Sequence, residues 1–380
     1  MSRPLSTLAR IDWLLVLPAA LLSFLGLAAI GSVGLAHDPP TLAPVIKQAI
    51  ALGLGMTLAL GLTMANYRAL DHYARLLYIL AGILLLGVLF FGRTINGTKG
   101  WFLIGGWGVQ PVEFAKVALV VIMARFMSKH AHVRELRLLV SSGILMALFA
   151  ILVLRQPDFG GAMVLASLWF FLLLIAGIKR RHLLTMVVGV LLIAAVSWLF
   201  LLKDYQRGRI ETFFDPSRAP LAEGYNSTQA KIAIGAGGLF GRGLGFGSQS
   251  QLRFVPEAQT DFLFSVIGEE LGFVTVLIMF GLFVLFFFRA VRIAERSGDN
   301  FPAFLALGLV LNIFLATVVN IGMNLGLLPV TGIALPFLSA GGSSLIATWI
   351  AVGLLQSIAV RREGTRLSLT EDGVGSRIPL

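Results

Sequence analysis

Apolar stretches long enough to cross a bilayer recur along nearly the whole chain. A helix needs about 20 residues to span the hydrocarbon. Windows of that kind fall near 12–36, 43–65, 74–92, 111–128, 138–155, 162–178, 183–202, 262–288, 302–325 and 341–360. The fourth and sixth are short and the last is glycine-rich, so the count is about ten. The pattern predicts an all-α membrane protein: a polytopic bundle of about ten transmembrane helices, with a long extracellular loop between helices 7 and 8. Composition agrees, with 57% hydrophobic and 13% charged residues and a mean hydropathy of +0.89. A soluble domain carries about 25% charged residues. The absence of cysteine excludes disulfides, thiolate metal sites and a cysteine nucleophile.

The net charge of +11 is best read by location. With ten spans and an interior N-terminus, the interior segments hold 18 of the 30 Lys and Arg, among them Arg68, Arg125, Lys179, Arg289 and Arg361. Short loops rich in Lys and Arg lie on the cytoplasmic side. Both termini are then cytoplasmic and the 203–261 block faces outward. This topology explains the basic charge without nucleic acid. The first window follows Arg3 and Arg10 and exceeds the 7–15 apolar residues of a signal peptide, so it reads as a retained signal anchor. Residues 1–380 form one integral membrane domain, with 203–261 as the large outer loop and 362–380 as a short cytoplasmic tail. Residues 224–236 read as a short amphipathic helix lying on the membrane.

The outer block carries the candidate chemistry. Asp261 stands where the next apolar run begins, and Glu257 precedes it by four residues, so on a helix the two would share a face. Asp261 reads as a general base; the competing reading is a helix N-cap. Glu269 and Glu270 lie deeper in the span, where acids are functional or paired, here with buried Arg or Lys as the structural alternative. Glu113 and Lys116 sit three apart at a helix start opened by Pro111, either as a phosphate site or as an internal ion pair. Arg155 and Asp158 form a site or a salt-bridged turn. Lys203, Arg207, Arg209, Arg218, Lys231, Arg242 and Arg253 place positive charge on the side where topology does not call for it, which fits an anionic ligand. The glycine run 235–247 matches neither GxGxxG nor a P-loop ending and reads as tight backbone packing around a head-group pocket. Asn320 and Asn324, with the broken segment 329–344 that includes Ser343, form a second wall of the cavity. The five His show no metal-ligand spacing.

Several strings in register resemble the SEDS family (shape, elongation, division and sporulation). They are Gln-Pro-Val-Glu-Phe-Ala-Lys at 110–116, Gln-Pro-Asp-Phe-Gly at 156–160, Asp-Tyr-Gln-Arg at 204–207 and Gly-Tyr-Asn at 224–226. Gly-Gly-Leu-Phe-Gly-Arg-Gly-Leu-Gly at 237–245, Pro-Glu-Ala-Gln-Thr-Asp-Phe at 256–262 and Gly-Glu-Glu-Leu-Gly at 268–272 follow. Asn-Ile-Gly-Met-Asn at 320–324 and Leu-Pro-Val-Thr-Gly at 328–332 complete the series. Residues 247–251 and 320–324 resemble the elongation branch, RodA, more than the division branch. The chain departs from the family pattern at Gln259 (usually His), Val112 (Ser), Gly161 (Thr) and Ala340 (Tyr). Gln259 can hydrogen-bond but cannot carry charge.

The resemblance implies a ten-helix peptidoglycan glycosyltransferase that polymerises lipid II and releases undecaprenyl pyrophosphate. The family's essential Asp maps onto Asp261. The expected substrate-binding set is Glu113, Lys116, Arg207, Arg209, Lys231, Arg242, Glu257, Asn320, Asn324 and Ser343. Mg or Mn is the candidate divalent cofactor. A class B penicillin-binding transpeptidase and other elongation-complex membrane proteins are the expected partners. The rival reading is a lipid II flippase, and a weaker one is a non-catalytic scaffold. A flippase calls for charges in both halves of the membrane, whereas the polar signal here is concentrated on one side.

Overall fold

The computed structural model describes residues 10–35, 40–130, 136–196, 199, 207–208, 211 and 223–366. Lys203, Arg209, Arg218 and the tail beyond 366 lie outside the described residues. Ten helices fall on the ten expected windows: α1 (Trp13–Leu35), α2 (Ala43–Met64), α3 (Arg68–Phe91), α4 (Pro111–Lys129), α5 (Leu136–Leu154), α6 (Phe159–Ile175), α7 (Arg180–Val196), α10 (Leu263–Glu295), α11 (Asn300–Asn324) and α12 (Gly342–Arg366). Seven of them are long and apolar enough to cross a membrane by themselves. The other three are α4, which carries Glu113 and Lys116, and the 17-residue α6 and α7. The architecture is a polytopic all-α membrane bundle.

Between α7 and α10 the described part of the outer block folds as α8 (Glu223–Ala236) and the single turn α9 (Ser248–Gln251). Helix α8 occupies the stretch expected to be amphipathic. Its small buried residues Ala230 and Ala233 face inward, and Ile234 packs on Gly268 of α10.

A small sheet that the span reading did not anticipate joins α3 to α4. Strands β1 (Arg93–Ile95), β2 (Thr98–Ile104) and β3 (Trp107–Val109) pair antiparallel in that order. Both turns hold two residues at positive φ, Asn96-Gly97 and Gly105-Gly106. That backbone is the hairpin turn whose twist matches the flanking strands. Lys47 ties the second turn to α2 by donating to the Gly106 carbonyl at 3.1 Å.

Helices α11 and α12 form the centre, with 67% and 83% of their apolar windows buried. Lipid tails are as apolar as leucine, so membrane helices gain by close packing of small residues. Here Gly353 of α12 lies so close to α2 that a Cβ on it would stand 2.6 Å from the Ala59 Cα. One end of the bundle gathers the arginines of the short loops. Arg289 donates to both Asp12 carboxylate oxygens at 2.9 and 2.8 Å. Gln356 accepts from the Asp12 N–H at 3.0 Å and donates to its carbonyl at 2.8 Å. Arg361 caps α2 by donating to the Thr63 and Met64 carbonyls. The acids of the outer block lie at the opposite end.

Candidate active site

Residues 256–262 fold as a tight turn and not as a helix, and α10 begins only at Leu263. Glu257 has φ +49, and its carbonyl accepts the N–H groups of Thr260, Asp261 and Phe262 at 3.1, 3.1 and 3.3 Å. The shared helical face expected for Glu257 and Asp261 is therefore replaced by a turn, which still keeps the two residues close. The N-cap position belongs to Phe262, with no side-chain cap, so Asp261 is not the capping residue. The residue stays partly exposed. It faces Gly332, where a Cβ would stand 3.7 Å from Oδ2. Glycine at 332 serves a φ of +74 as well as that approach.

Asn320 and Asn324 hold this turn from behind. Their Nδ2 groups donate to the Asp261 carbonyl at 2.9 and 3.0 Å. Asn320 also donates to the Ile333 carbonyl at 2.8 Å, and Asn324 Oδ1 accepts the Ser265 N–H at 3.2 Å. Both side chains are 0% exposed. They position the backbone of Asp261 from within the protein. Ser343 has a comparable structural place. It is buried, accepts the Gln110 N–H at 2.9 Å and donates to the Gly108 carbonyl at 3.3 Å. It anchors the β3–α4 junction to α12.

Lys116 and Glu113 pair at 2.8 Å in the first turns of α4. Lys116 is 4% exposed. The pair lines a narrow cleft together with Asn312, Ile333, Ser344 and Thr348. The Oδ1 of Asn312 is buried without a partner among the described residues. Sequence reading missed Asn312 and Thr348, while Ser344 falls within the segment 329–344 expected to form a cavity wall. Asn312 and Thr348 are polar side chains in apolar helices, and a polar residue at membrane depth was the available signal. Ile333 follows Gly332, so one short segment faces Asp261 and floors the Lys116 cleft. Asp158 completes the ring. It caps α6 by accepting the Gly161 N–H at 2.7 Å. Gly160 packs against the Thr331 carbonyl. Burial pushes the Asp158 carboxyl up, against the opposing pull of the Gly161 N–H and the Lys116 charge, while Glu113 adds to the rise.

The glycine run proves to be a splice into a broken helix. Helix α10 is interrupted at Gly272, with φ 77 and ψ −178. The freed carbonyls of Glu269 and Glu270 accept the N–H groups of Arg242 and Gly243 at 3.0 and 2.8 Å. Below the break, the N–H groups of Phe273 and Val274 donate to the Gly238 and Leu239 carbonyls at 2.9 and 3.0 Å. A Cβ on Gly241 would collide with the Glu270 carbonyl, and one on Gly272 with the Gly241 nitrogen. Broken backbone survives at this depth because protein satisfies it.

The expected basic set separates. Lys231, exposed on α8, lies beside Gly326 at the end of α11, close to the residues that hold Asp261. Arg242 is exposed, but its Nε donates to the Ala236 carbonyl at 2.9 Å and caps α8. Arg207 donates to the Leu199 carbonyl at 3.4 Å. Arg209 lies outside the described residues.

A family model described as cell cycle protein and named for FtsW, RodA and SpoVE matches residues 7–364. The chain belongs to this family, the SEDS proteins. The peptidoglycan glycosyltransferase MrdB of Escherichia coli K12 is 38% identical over 315 residues, 82% of this chain and 84% of that protein. Among solved structures, this SEDS chain is similar to a chain of a peptidoglycan synthase complex that coordinates polymerisation and crosslinking. The TM-score is 0.79 at 34% identity, covering 93% of this chain and 98% of that one. The rod shape determining protein RodA of Thermus thermophilus superposes with a TM-score of 0.69 at 32% identity, covering 93% and 97%.

Proposed function

We infer that this SEDS protein is a peptidoglycan glycosyltransferase that polymerises lipid II into glycan strands for cell elongation and rod shape. The observation that carries the mechanism is the Asp261 turn: a partly exposed aspartate on a backbone fixed by two buried asparagines. Asp261 accepts the proton of the attacking sugar hydroxyl. The hydroxyl oxygen forms the new glycosidic bond at the anomeric carbon as the bond to undecaprenyl pyrophosphate breaks, and the configuration inverts in one displacement. General-base assistance of this kind contributes about 10²–10⁴ in rate. Lys116 and Lys231 stabilise the charge that develops on the departing pyrophosphate.

Among the described residues no three His, Cys, Asp or Glu side chains converge on a metal. Mg²⁺ is commonly held by one or two carboxylates together with substrate phosphates, and the site fits that mode. Glu257, exposed beside Asp261, would hold such an ion, which when bound supplies charge neutralisation at the pyrophosphate. The arginine end faces the cytoplasm with both termini, and the Asp261 end faces outward, in keeping with the positive-inside rule. A class B penicillin-binding protein docks on an outward-facing apolar helix face and the outer loops.

The test is polymerisation of purified lipid II by the solubilised protein with its transpeptidase partner, wild type beside Asp261→Asn. Glycan from wild type and none from a folded, partner-bound variant supports the reading. Equal polymer from both removes Asp261 from the chemistry. No polymer from either, with lipid II crossing proteoliposome membranes, replaces the polymerase by a flippase.

A further inference from the structure

Glu269 and Glu270 take no part in the mechanism above, yet they are 0% and 1% exposed. No Lys or Arg among the described residues pairs with either, contrary to the structural alternative drawn from the sequence. Neutral donors of one loop fill their oxygens instead. Glu269 Oε1 accepts the Gln249 N–H at 2.7 Å, and Oε2 accepts the Ser250 N–H at 2.9 Å. Glu270 Oε1 accepts from Gln251 Nε2 at 2.8 Å and from the Ser250 hydroxyl at 2.9 Å. Glu270 Oε2 accepts the Gly245 N–H at 3.2 Å and the hydroxyl of Ser32 on α1. The clamped loop leads directly into the site. The Gln249 carbonyl accepts the N–H groups of Phe254 and Val255 at 3.0 and 3.3 Å, and the next residue opens the turn that carries Asp261.

We propose that Glu269 and Glu270 form a two-carboxylate clasp that positions Asp261 through the 245–255 loop. This role rests on the glycosyltransferase reading given above. The clasp requires acids of this length. Each Glu269 oxygen faces a backbone N–H, which can only donate. At Glu270 the Gly245 N–H can only donate, and the Gln251 amide is held as a donor by its Nε2 bonds to the Ser32 carbonyl and hydroxyl at 3.3 and 3.2 Å. A glutamine of the same size turns an NH₂ towards one of these donors and sets donor against donor. The clasp also fastens the loop to α1 through Ser32, so the Asp261 turn is referenced to a helix far from it in sequence.

The experiment compares Glu269→Gln, Glu270→Gln and the milder Ser32→Ala with wild type, each in complex with the transpeptidase. It reads kcat and KM for lipid II, the melting midpoint, and amide hydrogen exchange of residues 245–262. A misplacement near 1 Å costs about 10²-fold in rate. The glutamine variants should therefore lose about ten-fold or more in kcat with KM within about two-fold and faster exchange at 256–262. Ser32→Ala should lose about two- to three-fold with its fold intact. Wild-type kcat in the glutamine variants overturns the clasp. So does a raised KM with kcat kept, or a fall in kcat with exchange unchanged. If the glutamine variants do not fold, wild-type kcat and exchange in Ser32→Ala overturn it. If wild type itself makes no polymer, the glycosyltransferase reading fails; the exchange arm still decides the clasp, faster exchange at 256–262 supporting it and unchanged exchange overturning it.

Discussion

At the arginine end of the bundle, Asp12 is gripped by its side chain; at the other end, Asp261 is gripped by its backbone. Arg289 takes both carboxylate oxygens of Asp12, and Gln356 takes its N–H and C=O. Nothing of Asp12 is left over for chemistry, and it is 6% exposed. Asn320 and Asn324 donate to the Asp261 carbonyl, and the residue as a whole is partly exposed. A charge used for structure is fixed through its charged atoms. The proposed general-base role of Asp261 asks for a backbone held in place, and the two asparagines supply that hold.

This contrast can be broken experimentally, and the largest effect belongs to Asp261. Asp261→Asn should lower polymerisation by about 10²–10⁴ while the melting midpoint stays close to wild type, as read from glycan yield and thermal unfolding in one preparation. Arg289→Met should do the reverse. It strands the buried Asp12 charge, and breaking such a pair costs about 3–5 kcal/mol. Arg289 is itself about a quarter exposed, so solvent screening reduces the loss. A fall in the melting midpoint with kcat per folded molecule preserved is the expected outcome.

Asn320→Ala should combine the two effects. It leaves the Ile333 carbonyl without that donor and the Asp261 carbonyl with Asn324 alone, for a cost of about 1–3 kcal/mol. Stability and kcat should fall together, and unchanged kcat would show that the turn keeps its place without this side chain.

The smallest effect is expected at Asp158. Its carboxyl is raised above the ordinary 3.8 by burial, so the folded state disfavours the ionised form. The resulting loss of stability is absent below the unfolded value and grows as pH rises through the folded one. Asp158→Asn keeps an acceptor for the Gly161 N–H and removes this titration. The melting midpoint of wild type should therefore fall relative to the variant as pH rises across that window. Parallel curves would exclude the effect.

The bundle was legible because apolar length is a local property: each expected window lies on a helix of the structure. The sheet at 93–109 carried its own signal in Asn96-Gly97 and Gly105-Gly106, which a search for spans passes over. The break at Gly272 was not legible. Gly-Glu-Glu-Leu-Gly within an apolar run reads as helix until a second segment is seen to satisfy its carbonyls. Asp261 could be found from its place at the edge of a span, and Lys116 with Glu113 from their spacing. The direction of Asn320, Asn324 and Ser343 could not be read, because each binds a backbone group distant in sequence. The exposure of Asp261 and the burial of Asn320 are decided by that tertiary contact and not by residue type.

The splice between the glycine run and α10 also bears on biosynthesis. The chain leaves the ribosome from its N-terminus, so residues 238–243 emerge before Glu269, Glu270, Phe273 and Val274. The filler is already made when the gap appears. At 1.5 Å of rise per residue, the break lies two to three turns down a helix that starts at Leu263. The reverse order of synthesis would send an open helix into lipid to wait for its missing partners.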